Sequence, residues 1–364
     1  MSFNLFSLWV YLQNLRSLIT TVRTIHFTDS EMAIRTNATV SLPILRRLWV
    51  WENDYGMKKT YHLCISSDDE VMFRDEEDYN RGFNTFALAL YKTDSVGLVE
   101  SIMSTHAHLL VQTHNPNAFM GAFRMPYTKY FNSKYSRSGP LGEQEHFTME
   151  VKGHHHNIVA ASYILRNGLH HGVAPIPYAY PHCSVNAIFQ KEMGKRPEQN
   201  LLPRKSFYRF IGRNVDVPDN YKMSASGLFL RETVLDIPQV ENMFVTPRNF
   251  DFYMNRRTSE EWIKEQEKDR NGVAPITLEL MESKVGLTSA AEMLTYESGR
   301  ADYRRMTDVQ VCGIIDKIVR DEFHKPSVYL LSIDEKLKIA TYLRQNYRLS
   351  MKVISRCLVL GTDV

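Results

Sequence analysis

The sequence predicts an α+β protein, built on an antiparallel sheet with helices on one face and followed by a mainly helical C-terminal region. Two observations support this prediction. Between residues 60 and 150, segments typical of strands and helices alternate in the order β-α-β-β-α-β. After residue 306, three helical patterns follow one another. The first order is that of the ferredoxin-like, or split βαβ, arrangement.

Composition and spacing justify each element in turn. The segment TYHLCIS is rich in strand-forming residues, and RGFNTFALALYK is typical of a helix. GLVESIMS and HAHLLVQT are joined by so short a connection that we expect neighbouring strands of one sheet. A second helix, AFMGAFRMPYTKYFNSKYSR, precedes the fourth strand, EHFTMEVK. NIVAASYILRNGLHHG then predicts a further helix, which ends at Gly168 or Gly172.

The C-terminal helical patterns are TDVQVCGIIDKIVRDEF, SIDEKLKIATYLRQNY and SMKVISRCLVL. The first two open with capping boxes, Thr307 with Gln310 and Ser332 with Glu335, which indicates true helix starts. The last two, predicted over 332–346 and 350–360, are separated by a three-residue turn, which is the spacing of a helix-turn-helix. Many helical hairpins have no nucleic-acid role, so this pattern alone does not establish DNA binding.

Composition places the chain among ordinary globular proteins. Of its 364 residues, 43% are hydrophobic and 23% are charged, which excludes collagen-like, low-complexity and mostly disordered proteins. The four cysteines form no CxxC pair, so we expect neither a disulfide framework nor a zinc knuckle, and a reducing, cytoplasmic location. Polar side chains interrupt the apolar residues 3–22, so we expect no membrane association. A net charge of +3 is too small to indicate a nucleic-acid partner by itself.

Two histidines, a tyrosine and an asparagine form the candidate chemical site. His106 and His108 stand at i and i+2 of a predicted strand, so their imidazoles share one face and can hold one metal ion. Tyr163 and Asn167 are four residues apart and therefore share one helical face. Two imidazoles and an amide oxygen suit Mg²⁺ or Mn²⁺ with a substrate phosphate, although zinc or nickel also fits these ligand types. Tyr163 is then the candidate nucleophile, provided that a metal-polarised phosphate and a proton acceptor lie nearby.

These residues also have a plainer interpretation. Among 13 histidines an HxH pattern arises readily by chance, and a second one, His154 and His156, lies at a strand-to-helix junction where solvated histidines are common. A tyrosine in an amphipathic helix is usually a core residue. The chemical interpretation is favoured because the first histidine pair begins a hydrophobic strand and an amide shares the face of the tyrosine.

These motifs resemble those of a known family, the HUH single-strand transposases with one catalytic tyrosine, and among them the REP-associated tyrosine transposases. STHAHLLVQ resembles the family's histidine–hydrophobe–histidine strand, YILRNGLHHG its tyrosine helix, and YHLCISSDDEVMFRDEEDYNRG its opening strand and loop. The separation of 55 residues from His108 to Tyr163 also fits. Two departures concern the subgroup more than the chemistry: Ser104-Thr105 stands where Pro-Asn is common, and Gly168 where proline often follows the asparagine.

The resemblance covers about residues 58 to 190 and implies an HUH domain. It implies that His106, His108 and Asn167 hold Mg²⁺ or Mn²⁺. It also implies that Tyr163 cleaves single-stranded, hairpin-bearing DNA through a 5′-phosphotyrosine, without an external energy source. Single-stranded or hairpin DNA is then the expected partner. A homodimer is a candidate oligomeric state.

The chain is expected to have four regions. Residues 1–56 show no sustained hydrophobic period of a strand or a helix. Met57, which follows them, resembles a second translation start, so we expect a peripheral or spurious extension. Residues 57–190 form the HUH transposase catalytic domain. Residues 191–300 begin with charged, proline-containing sequence and form a basic linker with an irregular or helical part. Residues 301–364 form the helical, helix-turn-helix-like DNA-binding region.

Two segments predict contacts to DNA. RMPYTKYFNSKYSR interleaves cations with aromatic rings and has no acidic residue, which suits a single strand whose phosphates meet the cations while its bases stack on the rings. The same pattern also fits an amphipathic helix with rings in the core and solvated cations. From this segment and from the last helix, the candidate DNA contacts are Arg124, Tyr127, Lys129, Tyr130, Lys134, Arg137, Lys352 and Arg356.

A metal-dependent tyrosine transposase is therefore the leading hypothesis. The alternative is a noncatalytic, sequence-specific DNA-binding protein that retains the fold. A third interpretation, a histidine-based cyclic-phosphate or nucleotide hydrolase, is disfavoured because Leu110 stands where an HxHxH pattern would have its third histidine. Metal-dependent trapping of covalently bound DNA distinguishes the first hypothesis from the other two.

Overall fold

A computed structural model describes the fold over residues 57–255, 259–277, 280 and 306–361. The predicted N-terminal extension, residues 1–56, lies outside these ranges, as does most of the segment from 278 to 305. Within the ranges that are described, no helix has both the length and the apolar character needed to cross a membrane.

A four-stranded antiparallel sheet with the strand order β2-β3-β1-β4 forms the centre of the fold. Its strands are Lys59–Ser66 (β1), Val96–Ile102 (β2), His106–Thr113 (β3) and Phe147–Glu150 (β4). Helix α1, Glu76–Lys92, connects β1 to β2, and helix α2, Pro116–Tyr135, connects β3 to β4. The predicted β-α-β-β-α-β order and the antiparallel pairing are thereby confirmed.

Strand alternation gives this sheet two different faces. The pairing of β1 with β3 places the side chains of His62, His106 and His108 on one face. Ile102 belongs to the other face, where its side chain lies against Gly82 of α1. Because α2 packs against α1, both connecting helices cover this second face.

The third long helix, α3 (His154–Leu165), lies on the histidine-bearing face instead, where it packs against β2 and β3. The ring of Tyr163, in its last turn, lies 5.4 Å from the ring of His108. The prediction that the helices occupy one face of the sheet is therefore wrong for α3. Helical periodicity shows that a helix packs against a sheet but does not indicate which face it covers.

The remaining helices of the described residues are numbered in chain order. They are α4 Asn167–His170, α5 Tyr208–Ile211, α6 Arg231–Val234, α7 Ile237–Phe244, α8 Pro247–Asn255, α9 Ser259–Gln266, α10 Asp308–Asp321, α11 Ile333–Tyr347 and α12 Met351–Leu358. Short 3₁₀ helices occur at Pro177–Ala179, Ser184–Ala187, Arg204–Ser206, Glu267–Asp269 and Val328–Leu330. Helices α7, α8 and α9 pack against α3, which is thus enclosed between them and the sheet.

The C-terminal helices α10, α11 and α12 share a second hydrophobic cluster, which includes Val311 and Ile354. Both predicted capping boxes are present: the Thr307 and Ser332 side chains each accept from a backbone N–H, and the glutamine or glutamate three residues later caps in return. Helices α11 and α12 follow one another across a three-residue turn. Their use as a DNA-binding helix-turn-helix stays a prediction.

Arg74, in the loop between β1 and α1, connects this second cluster to the sheet. Its side chain is fully buried. Nη1 donates to the carbonyl of Cys357 at 3.0 Å, and Nη2 donates to the carboxylate of Asp316 at 2.8 Å. Val71, from the same loop, packs within the C-terminal cluster. A buried cation and an apolar side chain therefore hold α10 and α12 against the part of the chain that contains the sheet.

Replacing Arg74 with methionine should destabilise the protein strongly, because the Cys357 carbonyl and Asp316 lose a buried cationic donor. We expect the free energy of unfolding to fall by about 2–4 kcal/mol, measured by urea denaturation. The control is Arg320→Met on the exposed side of α10, which should change it by less than about 0.5 kcal/mol. Equal effects of the two substitutions would contradict the role given to Arg74.

Candidate functional site

Four side chains meet on the histidine-bearing face of the sheet. Nε2 of His106 lies 3.0 Å from Oδ1 of Asn167. The ring centroids of His106 and His108 are 5.1 Å apart, and the ring of Tyr163 lies 5.4 Å from that of His108. All four residues are at most 3% exposed. The structure therefore brings together, in one buried cluster, the metal ligands and the nucleophile that the sequence predicts.

The junction between α3 and α4 positions the helical half of this cluster. A Cβ atom at Gly168 would lie 2.6 Å from the ring of Tyr180, so only glycine lets the chain approach this ring. The Tyr180 hydroxyl in turn donates to the carbonyl of Ile102, at the end of β2. This contact holds the start of α4, and with it Asn167, beside the strand that follows. Gly168, which departs from the family pattern, thus has a packing reason.

Three further histidines, which the sequence motifs did not predict, surround the cluster. The ring of His170 lies 5.5 Å from the ring of Tyr163, and the ring of His171 lies 4.7 Å from that of His106. Both are half-buried, in contrast to the fully enclosed strand histidines. His62 reaches the cluster from β1. Their positions in the sequence could have indicated them. His170 and His171 follow Asn167 by three and four residues, and His62 lies on the first predicted strand.

Burial keeps the strand histidines neutral. Removal from solvent lowers the pKa of both His106 and His108 well below the ordinary value of a histidine. The neighbouring His171 and, to a smaller extent, Arg356 also lower the pKa of His106. The hydrogen bond with Asn167 raises it, but does not outweigh burial. A neutral imidazole keeps one lone pair, which is the form that binds a metal ion.

The ligand atoms fit a divalent cation. Two ligands that lie about 2.1 Å from one ion at a right angle are about 3.0 Å apart, which matches the 3.0 Å between Nε2 of His106 and Oδ1 of Asn167. Nε2 of His108 is buried without a hydrogen-bond partner among the described residues, as is Nδ2 of Asn167. In the same part of the chain, no three His, Cys, Asp or Glu side chains converge as a metal group. A metal site here therefore depends on the amide as its third protein ligand.

The C-terminal helices border the candidate site. The hydroxyl of Ser104, two residues before His106, donates to the carboxylate of Asp308 at 2.7 Å. Arg356 of α12 donates to the same carboxylate through Nη2 at 2.6 Å and through Nε at 3.0 Å. Its positive charge also lowers the pKa of His171, after the larger effect of burial. Arg356, a predicted DNA contact, thus belongs to an ion pair at the edge of the histidine cluster.

Of the two predicted base-stacking rings, one lies in the interior and the other is half-buried. Tyr127 is 1% exposed, and its hydroxyl donates to the carbonyl of Met72 at 2.7 Å. Tyr130 is half-buried, and its hydroxyl donates to Asp78 at 3.0 Å. The interpretation of this segment as an amphipathic helix with core rings is therefore correct for Tyr127, whose ring cannot stack on a base.

Two predicted DNA-binding cations of the same segment are used within the protein. Arg137 pairs with Glu70 at 2.6 Å. Lys134 lies within 3.0 Å of three carboxylates at the start of α1, which belong to Asp75, Glu77 and Asp78. The predicted acidic loop thus neutralises cations that the sequence alone assigned to DNA phosphates.

The other predicted cations are at the surface. Arg124 donates to the backbone carbonyls of Glu143 and Gln144. Together with Lys129, which is exposed, it lines a groove of about 600 Å³ beside α2. Lys352 is exposed on the first turn of α12. These cations are the predicted DNA contacts that remain accessible to a polyanion.

The second HxH pattern is not the solvated junction that the sequence suggests. His156 is 1% exposed, and its Nδ1 lies 2.6 Å from the carboxylate of Asp269. The same carboxylate accepts from the backbone N–H groups of His155 and His156, so it caps α3. His155 and His156 are therefore part of the structure that fixes the start of the tyrosine helix, whereas His154 is exposed and makes no hydrogen bond to Asp269 in the described structure.

Comparisons with known proteins yield no sequence match and a weak structural one. No protein-family model and no curated protein matches the sequence. A solved structure, that of a REP-associated tyrosine transposase bound to a REP hairpin, aligns with 39% of this chain and 85% of its own chain. The sequence identity is 9% and the TM-score is 0.34, a likeness too slight to support an argument. The functional conclusion therefore depends on the geometry of the site.

Two lysines of α2 should behave differently when each is replaced by methionine. Lys134→Met leaves the buried Asp78 without its cation, so we expect the free energy of unfolding to fall by about 2–4 kcal/mol. Lys129→Met should change it by less than about 0.5 kcal/mol. It should instead weaken single-stranded DNA binding and reduce the salt dependence of log K by about 0.7, one phosphate contact. Urea denaturation and DNA titration at several salt concentrations measure both effects, and the reverse pattern would contradict this assignment.

Acid should destabilise the histidine cluster. Burial lowers the pKa of His62 to about 3, so below its ordinary value, near 6.5, the unfolded chain takes up a proton that the folded chain does not. The free energy of unfolding should therefore fall as the pH falls from 7.5 to 5.5. His62→Gln should lose about 1 kcal/mol less over that interval than the wild type.

Urea denaturation at both pH values, in the presence of EDTA, measures this difference. The exposed His154, replaced by glutamine, serves as the control and should lose as much stability as the wild type. A His62→Gln protein with the full wild-type loss would show that His62 is not held neutral by the fold.

Proposed function

We propose that this protein is a metal-dependent tyrosine transposase, which cleaves single-stranded, hairpin-bearing DNA and rejoins it by transesterification. The observation that carries the proposal is the buried cluster of His106, His108, Asn167 and Tyr163. It combines two neutral imidazoles, an amide oxygen and a phenol on one face of the sheet. These groups are the ligands of a divalent cation and a nucleophile for a phosphodiester.

The proposed reaction exchanges one phosphoester bond for another. The hydroxyl of Tyr163 gives up its proton to a base, and its oxygen attacks the phosphorus of the scissile phosphodiester. A bond forms between this oxygen and phosphorus while the bond from phosphorus to the 3′ oxygen breaks, and the 3′ oxygen leaves with a proton. The 5′ end stays on Tyr163 as a phosphotyrosine. Attack by a DNA 3′-hydroxyl on this phosphotyrosine releases the tyrosine and rejoins the strand.

The side chains of the cluster divide this work. His106, His108 and Asn167 would hold Mg²⁺ or Mn²⁺, which, when bound, polarises a phosphate oxygen and makes the phosphorus more electrophilic. His170 is the candidate acceptor for the phenol proton, because its ring lies 5.5 Å from the ring of Tyr163. Burial and, to a smaller extent, the charge of nearby Arg166 lower the pKa of His170 to about 3, so this imidazole is neutral at physiological pH.

The surface cations supply the contacts to the DNA strand. Lys129 and Arg124 line the groove beside α2, and Lys352 is exposed on α12. Phosphate contacts of this kind position a strand without reading its sequence. Recognition of a hairpin by α11 and α12 remains part of the proposal.

A noncatalytic, sequence-specific DNA-binding protein is the second candidate. The observation that favours it is the burial of Tyr163, which is 3% exposed and contacts the ring of His170. DNA does not reach a phenol buried to this degree without a rearrangement of the surrounding side chains. In a noncatalytic protein the same cations would bind DNA while the histidine cluster stays closed.

Tyr163→Phe removes one oxygen from the cluster and should abolish both the covalent adduct and strand cleavage. Its affinities for Mn²⁺ and for DNA should stay close to those of the wild type, because the phenol is neither a metal ligand nor a surface contact. The measurement is incubation with Mn²⁺ and hairpin oligonucleotides, followed by gel analysis of SDS-resistant adducts. His106→Ala should fail for a different reason, so its cleavage should recover in part at higher Mn²⁺ concentration.

The matched control for the histidine substitution is His154→Ala, which removes an exposed imidazole from the first turn of α3. It should leave cleavage unchanged. A wild-type protein that binds hairpin DNA but forms no adduct with any divalent metal would favour the noncatalytic candidate. An adduct that still forms with Tyr163→Phe would refute the nucleophile.

A further inference from the structure

His62 is a buried polar residue that the proposed reaction leaves without a role. It is 0% exposed and lies on β1, diagonally across from His108 on the paired strand. Nε2 of His62 is 3.0 Å from Nδ1 of His108, and the two ring centroids are 5.1 Å apart. A buried imidazole costs free energy unless its hydrogen bonds are made, so this pairing calls for an explanation.

We infer that His62 is a positioning residue, which orients the imidazole of His108 so that its Nε2 faces the metal site. This inference rests on the function proposed above. His62 acts through His108 and is not itself a ligand, because its Nε2 is already engaged by the neighbouring ring. The metal site of the cluster therefore extends to β1.

The two strand histidines show the same arrangement on independent neighbours. Nδ1 of His106 lies 3.1 Å from the hydroxyl of Thr105, and its Nε2 faces Asn167. Nδ1 of His108 lies against His62, and its Nε2 is buried without a partner among the described residues. In each ring, Nδ1 is occupied by a neighbour; Nε2 of His108 has no partner in the part of the chain that is described, and Nε2 of His106 faces the amide oxygen that is proposed as its fellow ligand. Metal-binding histidines commonly use their second nitrogen in this way.

The hydrogen bond also selects the tautomer. A hydrogen bond between two neutral imidazoles has one N–H donor and one bare nitrogen acceptor. For His108 to offer a lone pair at Nε2, its proton must sit on Nδ1 and be donated to Nε2 of His62. His62 then carries its own proton on Nδ1, which is buried without a hydrogen-bond partner among the described residues.

Packing fixes the His62 ring in the orientation that this hydrogen bond needs. The ring of Phe147, on β4, lies 5.3 Å away at 73°, and the ring of Tyr163 lies 6.1 Å away at 65°. The acceptor is therefore held between the neighbouring strand and the tyrosine helix. A preset acceptor lowers the cost of ordering the His108 ring when a metal binds.

The test is Mn²⁺ binding to the full-length protein without DNA, measured by the electron paramagnetic resonance signal of free Mn²⁺. His62→Leu removes the acceptor and should weaken Mn²⁺ binding by about 10- to 100-fold. His62→Gln offers an amide oxygen near the position of Nε2 and should stay within about threefold of the wild type. His114→Leu, the same substitution at an exposed histidine just after β3, should leave binding unchanged.

Circular dichroism and thermal unfolding establish that each variant is folded. If His62→Leu does not fold, His62→Asn replaces it, because its shorter amide falls short of His108 and should also weaken binding at least tenfold. The role of His62 would be overturned if folded His62→Leu bound Mn²⁺ with wild-type affinity, or if the Leu and Gln variants weakened binding equally. Neither result would affect the proposed function. Absence of Mn²⁺ binding by the wild type, or undiminished binding by His106→Ala, would overturn the proposed function as well.

Discussion

The hydrogen bond between Nε2 of His106 and Oδ1 of Asn167 is the contact around which the site is organised, because it joins the sheet to the tyrosine helix at 3.0 Å. Strand alternation presents the imidazole, and the tight passage of Gly168 beside Tyr180 brings the amide to it. Tyr163, one helical turn before Asn167, is then carried to the same face of the sheet. Every group in the proposed reaction depends on this junction.

The same junction places neutral imidazoles in a buried environment at a cost in stability. His108 and His62 keep buried nitrogen atoms without partners among the described residues, and such atoms are rare in proteins unless they serve a function. In this account, the unpaired nitrogen of His108 is the ligand position. Local destabilisation at the cluster is offset by the large apolar core around it, which extends from Leu63 of β1 to Phe250 of α8.

Strand and helix patterns predicted the sheet because each element is encoded locally, as are the capping boxes at Thr307 and Ser332. The convergence of the two strand histidines with the tyrosine helix also followed from spacing and resemblance. The sequence could not show that Lys134 turns toward the carboxylates of α1, because that choice depends on tertiary packing. For the same reason it could not show that α3 takes the face opposite α1, or that His62 joins the cluster from another strand.

Mass spectrometry of the covalent adduct tests the central claim most directly. After reaction with Mn²⁺ and a hairpin oligonucleotide, the protein is digested with nuclease and trypsin, and the peptide that retains a nucleotide is sequenced. The account predicts a phosphotyrosine-linked nucleotide on peptide 153–166, in which Tyr163 is the single tyrosine. A nucleotide on peptide 167–191, which contains Tyr178 and Tyr180, or on any other peptide, would contradict it.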